Sequence, residues 1–238
     1  LAPNLGWRNV PLGAMLAAEL DLAVPVLVAN DADLGALAEH RRGVRPGVGH
    51  LLYVAGEVGI GIGVIIDGKP LLGSAGYAGE AGHTLVDPQG QRCRCGAVGC
   101  WETEAGEEAL LRRAGLRGRS TGLGTIDLVV ERAQAGDEKT LQAIAEVGRW
   151  LGIGIGNLIN IFNPEIVVLG GLYQRLYPYL EAAVREGVAL RALAAPGESV
   201  TIACSGIGSD AALIGAAELV LTEVILDPAG VADRGVTI

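Results

Sequence analysis

The sequence has no hydrophobic run of membrane-spanning length. Its apolar stretches, such as Leu22 to Ala29 and Ile166 to Leu169, break well before the roughly 18 residues that a spanning helix needs, so no membrane partner is expected. Positive charge is also scarce: 18 Lys and Arg against 27 Asp and Glu give a net charge of −9, and no basic stripe extends beyond Arg41 and Arg42. Such a chain repels a phosphate backbone as a whole, so any contact with DNA must come from outside these residues. Four cysteines are too few for a disulfide scaffold in 238 residues. The start at Leu1 shows no basic segment leading into an apolar one, so no signal peptide is predicted and the reducing cytoplasm is the expected compartment. Leu1 is not Met, which fits a fragment of something longer. No internal repeat is present.

Apolar residues make up 50% of the chain and charged ones 19%, which suits a folded protein with a sizeable core. Leu12, Met15, Leu16 and Leu20 recur at helical spacing after Pro11 and predict an amphipathic helix over 11–22. A buried strand from Val24 to Ala29 is expected next, then Asn30-Asp31 and a helix that stops at Gly43. Residues 50–72 read as three strands, the last two joined by an Asp67-Gly68 hairpin turn. The stretch 73–102 has no period and reads as an ordered loop that needs a staple. Helices are expected near 104–115, 125–135, 138–162 and 173–187, with strands at 165–169 and 200–204. Ser209 reads as the N-cap of a closing helix. Strands alternating with helices give the fold class α/β.

Cys93, Cys95 and Cys100 place three thiols within eight residues, with glycines between them that let the backbone curl, and His83 lies ten residues upstream. One imidazole and three thiolates meet the tetrahedral preference of Zn²⁺ and leave no open position for a catalytic water, so the predicted site is structural. Reduced, unligated loop cysteines are the alternative, and a Cys93–Cys95 disulfide would be strained by its one-residue gap. Cys204 reads as a small core residue in an apolar strand.

Gly79-Glu80-Ala81-Gly82-His83, Val86-Asp87-Pro88, the cysteine cluster and Glu102 together resemble the signature of the ROK family of repressors, open reading frames and sugar kinases. Asn30-Asp31-Ala32, Gly59-Ile60-Gly61, Asn163-Pro164, Gly170-Gly171 and Gly208-Ser209 follow in that family's usual order, so the resemblance covers nearly the whole chain. It implies an actin-like ATPase fold of the hexokinase, ribonuclease H-like type, two α/β lobes around a sugar cleft, and a structural zinc in the loop. Residues 1–45 would then be the remainder of an incomplete N-terminal lobe carrying the Asn-Asp motif, and 46–238 the C-terminal lobe with its zinc-stapled loop 73–102.

By the same resemblance Asn30, Asp31, Glu80, His83 and Glu102 bind a sugar, whose hydroxyls each donate and accept and so call for carboxylates and amides from several directions. A metal on one ring nitrogen of His83 would fix the tautomer and leave the other N–H for a sugar oxygen. Asp31 has two readings: general base toward the sugar hydroxyl in the kinases, and helix N-cap. Kinases of the family usually carry Gly-Thr-Gly-Ile-Gly, whose hydroxyl and amides cradle ATP phosphates; here the stretch is Glu57-Val58-Gly59-Ile60-Gly61. The missing hydroxyl and the added negative charge resemble the family's transcriptional regulators, although a Gly alternation can also mean close backbone packing.

The expected function is the sugar-sensing and oligomerisation region of a regulator, a repressor, acting as a dimer or tetramer and reaching DNA through a winged helix-turn-helix placed before Leu1. The alternative is a hexose kinase using ATP and Mg²⁺, with Asp31 as base. A structural zinc-loop module without a small-molecule site is the third reading.

Overall fold

The computed structural model describes residues 7, 9–22, 26–116 and 121–228. Its centre is a five-stranded sheet of order β3-β2-β1-β4-β5, formed by β1 (Leu51–Gly56), β2 (Ile60–Ile66), β3 (Lys69–Pro70), β4 (Ile166–Gly171) and β5 (Thr201–Cys204). The first three strands form an antiparallel meander, and β4 and β5 add in parallel on the other side of β1. Asp67 and Gly68 both have positive φ, as the tight turn between β2 and β3 requires.

All six residues of β1 are buried because both faces of the sheet are covered. Leu52, Val54, Val167 and Leu169 point into a core shared with α6 (Glu138–Phe162) and α7 (Leu172–Ala189). Leu51, Tyr53, Ile65, Ile166 and Val168 point the other way, against Ala32 and Ala36 of α2 (Asp31–Arg42). Along α2 runs α9 (Ala211–Leu226). The same chain thus alternates its strand side chains between two helical layers.

Most predicted elements form, and α6 spans the residues expected of it. Four readings need correction. The predicted strand 24–29 begins outside the described residues, and its described part, 26–29, joins no ladder. The predicted helix 104–115 is two helices, α3 (Trp101–Ala105) and α4 (Glu107–Arg113), parted at Gly106, which has extended backbone. A helix with Pro196 and Gly197 inside it, α8 (Ala194–Ser199), escapes the periodic pattern. Ser209 lies within a single 3₁₀ turn, 208–210, and α9 starts at Ala211, which leaves Asp210 and not Ser209 in the position before the helix. Of the remaining helices, α5 (Leu123–Gln134) matches its expected place, whereas α1 (Leu12–Glu19) buries none of its residues, so its apolar stripe is uncovered by the described chain. Among the described residues, no helix is long and apolar enough to cross a membrane.

Candidate functional site

The carboxyl ends of β1 and β4 and the starts of α2, α7 and α9 open onto one cavity of about 450 Å³. Crevices outside the carboxyl ends of parallel strands are where α/β sheets bind ligands, since the chain splays into loops and helix N-termini there. Asn30, Asp31, Glu80, His83 and Glu102, brought from three parts of the chain, all line this cavity.

Asn30 and Asp31 reach it because α2 begins at its edge. Asn30 caps the helix, its Oδ1 accepting from Ala32 N at 2.9 Å and Asp33 N at 3.2 Å. The cap is therefore Asn30, which corrects the reading of Asp31 as cap. Asp31 sits one position inside the helix, exposed, with Oδ1 2.8 Å from Ala32 N. Asp33, in the same first turn, has its carboxyl pushed up to about 6 by burial and by the charges of Asp31 and Glu80.

Close packing sets the height of α2 above β2. A Cβ on Gly61 would lie 2.9 Å from Ala32 Cβ, and one on Gly63 would strike the Ala32 carbonyl. Of the two readings of the Gly alternation, close backbone packing is what Gly61 and Gly63 display. A Cβ on Gly59 would instead strike the Glu102 carboxylate inside the cavity. Glu57 and Val58, in the turn between β1 and β2, line the cavity as well. Although Glu57 is exposed as a residue, crowding of its carboxyl and then the charges of Asp31 and Glu107 raise its pKa.

Glu80 and His83 lie on a 3₁₀ turn, Glu80–His83, entered through Gly79 in the left-handed region. His83 Nε2 lies 3.8 Å from Glu80 Oε2, while Nδ1 lies 3.6 Å from Cys93 Sγ and 3.5 Å from Glu102 Oε1. Cys93 Sγ is 2.9 Å from Glu102 Oε1, and Cys95 and Cys100 sulfurs are 3.6 Å apart. One ligand atom from each of His83, Cys93, Cys95 and Cys100 falls within 4.8 Å of the others, so the group could hold a metal ion. The loop forms no strand ladder; it carries two isolated bridges, Leu85 with Cys100 and Arg92 with Val98, and turn hydrogen bonds such as Cys93 N to Ala97 O. The donor set of one imidazole and three sulfurs fits Zn²⁺. Cys204, half-buried in β5, lies outside this group.

Sequence reasoning missed several residues of the cavity wall. Tyr53, Arg94, Ser209, Ala211 and Ala212 line it too. Tyr53 is buried under α2, against Gly35, and its place on β1 gave no signal beyond strand periodicity. Arg94, between Cys93 and Cys95, extends to the cavity and pairs with Glu108.

The sequence profile of the ROK family matches residues 1–223. The xylose repressor of Caldicellulosiruptor bescii is 35% identical over 96% of this chain, which spans 59% of that relative's length. The crystal structure of a ROK family glucokinase from Streptomyces griseus, in complex with glucose and AMPPNP, superimposes with a TM-score of 0.78 at 29% identity. That match covers 92% of this chain and 75% of the glucokinase. A ROK family transcriptional regulator, a homologue of the E. coli Mlc protein, superimposes with a TM-score of 0.75 at 32% identity, covering 89% of this chain and 55% of that one. The α/β architecture is thus that of the actin-like ATPase fold as ROK glucokinases carry it. By sequence profile and by structure, the chain belongs to the ROK family.

Proposed function

We propose that this chain is the sugar-sensing, effector-binding and self-associating region of a ROK-type transcriptional repressor. The observation that carries the reading is the make-up of one cavity: Asn30, Asp31, Glu80, His83 and Glu102 face it together, and Glu57 and Val58 stand in its wall. The first five supply amide, carboxylate and imidazole groups from several directions, as a ring of hydroxyls needs. Glu57 and Val58 disfavour a triphosphate by charge and by lack of a hydroxyl. Similarity to a xylose repressor supports the same reading and makes a pentose or hexose the effector class. In this reading 1–45 is the rest of a first lobe and 46–238 the second.

Zn²⁺ held by His83, Cys93, Cys95 and Cys100 would act as a closed structural staple for the loop 73–102. His83 then presents Nε2 to the cavity, on the side of Glu80, as the donor to a sugar oxygen. Sugar binding acts by linkage: a sugar that prefers one arrangement of the lobes shifts the DNA-binding heads, joined before Leu1, toward that arrangement. The test is operator affinity of the full-length dimer or tetramer with and without D-xylose and D-glucose. A drop of about tenfold, equal to a coupling of about 1.4 kcal/mol, is expected with the sugar that binds; equal affinity with every sugar that binds sinks the reading.

A second reading, an ATP-dependent hexose kinase using Mg²⁺, is favoured by Asp31. Asn30 does the capping, so the exposed Asp31 carboxylate at the cavity is placed to take the proton of a sugar hydroxyl as its oxygen attacks phosphorus. Sustained ADP release with glucose, abolished by Asp31→Asn, supports this reading; no ADP release from the full-length protein removes it.

A further inference from the structure

The carboxylate of Glu39, near the end of α2, is fully buried and takes part in no ion pair among the described residues. Its partners all lie in the turn 205–208 that leads from β5 to α9. Ser205 Oγ donates to Glu39 Oε1, and the backbone N–H groups of Ile207 and Gly206 point at the same carboxylate at 3.3 and 3.4 Å. The Ser205 hydroxyl oxygen in turn accepts from Gly208 N at 2.8 Å and Ile207 N at 3.3 Å. Gln174, in the first turn of α7, donates from Nε2 to the Ser205 carbonyl at 2.9 Å. Successive backbone N–H groups curled around an anion form a concavity whose partner is ordinarily a ligand; here it is a side chain of the protein.

The fit is tight on both sides. A Cβ on Gly43 would strike the Glu39 carboxylate, and one on Gly206 would lie 3.0 Å from Val44. Gly208, the last residue of the turn, and Ser209 line the cavity, as do Asn30 and Asp31 at the other end of α2. Asp31 and Glu39 are separated by roughly 12 Å along that helix.

We infer that Glu39 is a positioning residue for the effector cavity: it fastens the 205–208 turn to α2, so that Gly208-Ser209 and the start of α9 hold a fixed place opposite Asn30 and Asp31. The carboxylate suits this role because it only accepts, and it meets three donors of the turn at once, the buried Ser205 hydroxyl and the N–H groups of Gly206 and Ile207. A neutral amide cannot do the same, since its NH₂ would face another N–H. The turn therefore ties the last turns of α2 to the starts of α7 and α9, and so sets α9 against α2 along the cavity.

The test compares the full-length protein with its Glu39→Gln and Ser205→Ala variants by hydrogen exchange and by calorimetric titration with D-xylose and D-glucose. Glu39→Gln is expected to speed amide exchange at 206–212 by about tenfold while Leu51–Gly56 exchanges as before. It is also expected to weaken the sugar that the parent binds by about tenfold. Ser205→Ala, which keeps the carboxylate, should shift both in the same direction by less. Because the two residues act as one unit, the double variant should match Glu39→Gln rather than exceed it. Unchanged exchange at 206–212 in both variants overturns the proposal, and so does faster exchange with undiminished sugar affinity. A merely structural role would raise exchange across β1 as well and leave the affinity of folded molecules unaltered. The sugar arm rests on the proposed effector site: a parent protein that binds no sugar refutes that site, while the exchange arm still decides the role of Glu39.

Discussion

His83 turns Nδ1 toward Cys93 Sγ, 3.6 Å away, and keeps Nε2 for the side where Glu80 stands, so one imidazole serves both the sulfur cluster and the cavity. Metal and effector are therefore expected to be coupled. A metal held there would fix the loop that carries Cys93 against His83 and Glu102, both of which line the cavity, so its removal would loosen that wall. Apart from the metal group the loop has two isolated bridges and turn hydrogen bonds but no strand ladder, so a bound metal would add to its order. Chelation verified by metal analysis should abolish sugar binding and raise proteolysis within 84–99; sugar affinity that survives complete removal would contradict the coupling.

Asn30 and Asp31 should separate by their effect on stability, because Asn30 holds the helix as well as facing the cavity, whereas Asp31 lies past the cap position. Asn30→Ala removes the acceptor of two N–H groups and is expected to cost about 1 kcal/mol of stability, with Asn30→Asp nearly neutral. Asp31→Asn should leave the denaturation midpoint close to that of the parent and still weaken sugar binding strongly. Equal loss of stability in Asn30→Ala and Asp31→Asn would show that the cap is shared.

Gly63 in β2 and Gly59 just before it give another contrast. Gly63→Ala puts a methyl group into the Ala32 backbone, which must move with all of α2, and a loss of about 2 kcal/mol is expected in denaturant unfolding. Gly59→Ala meets only the end of the Glu102 side chain, which can turn aside. That variant should unfold like the parent and lose sugar affinity. A Gly59→Ala protein with parental affinity would place the sugar away from Glu102.

How far the sequence could be read depended on how local each feature is. The cluster of His83 and three cysteines was legible because its cysteines are neighbours and His83 is ten residues away, and β1 and α6 were legible from apolar spacing alone. The break at Gly106 was hidden by helical residues on either side of one glycine. Asn30 and Asp31 are both good caps, and only the backbone of Asn30, extended at φ −72° and ψ 139°, decides between them. Tyr53 and Glu39 gave no sign of their places. The partner of Glu39, Ser205, is 166 residues away, a distance at which only the order of strands in the sheet determines who meets whom.

Asp33 gives the pH dependence its sign. Burial, and after it the charges of Asp31 and Glu80, raise its pKa from 3.8 to about 6, so between those values the folded state holds a proton that the unfolded chain has lost. Where the native state binds more protons, stability falls as pH rises. The contribution of Asp33 is thus a loss of stability on going from pH 4 to pH 6, levelling off above it. Asp33→Asn keeps the size of the side chain and removes the titration. Its unfolding free energy, measured in denaturant at steps from pH 4 to 7, should lack this decline, and the variant should be more stable than the parent at pH 7. A parent and variant whose profiles run parallel would mean that the Asp33 carboxyl is no harder to ionise in the fold than in the open chain.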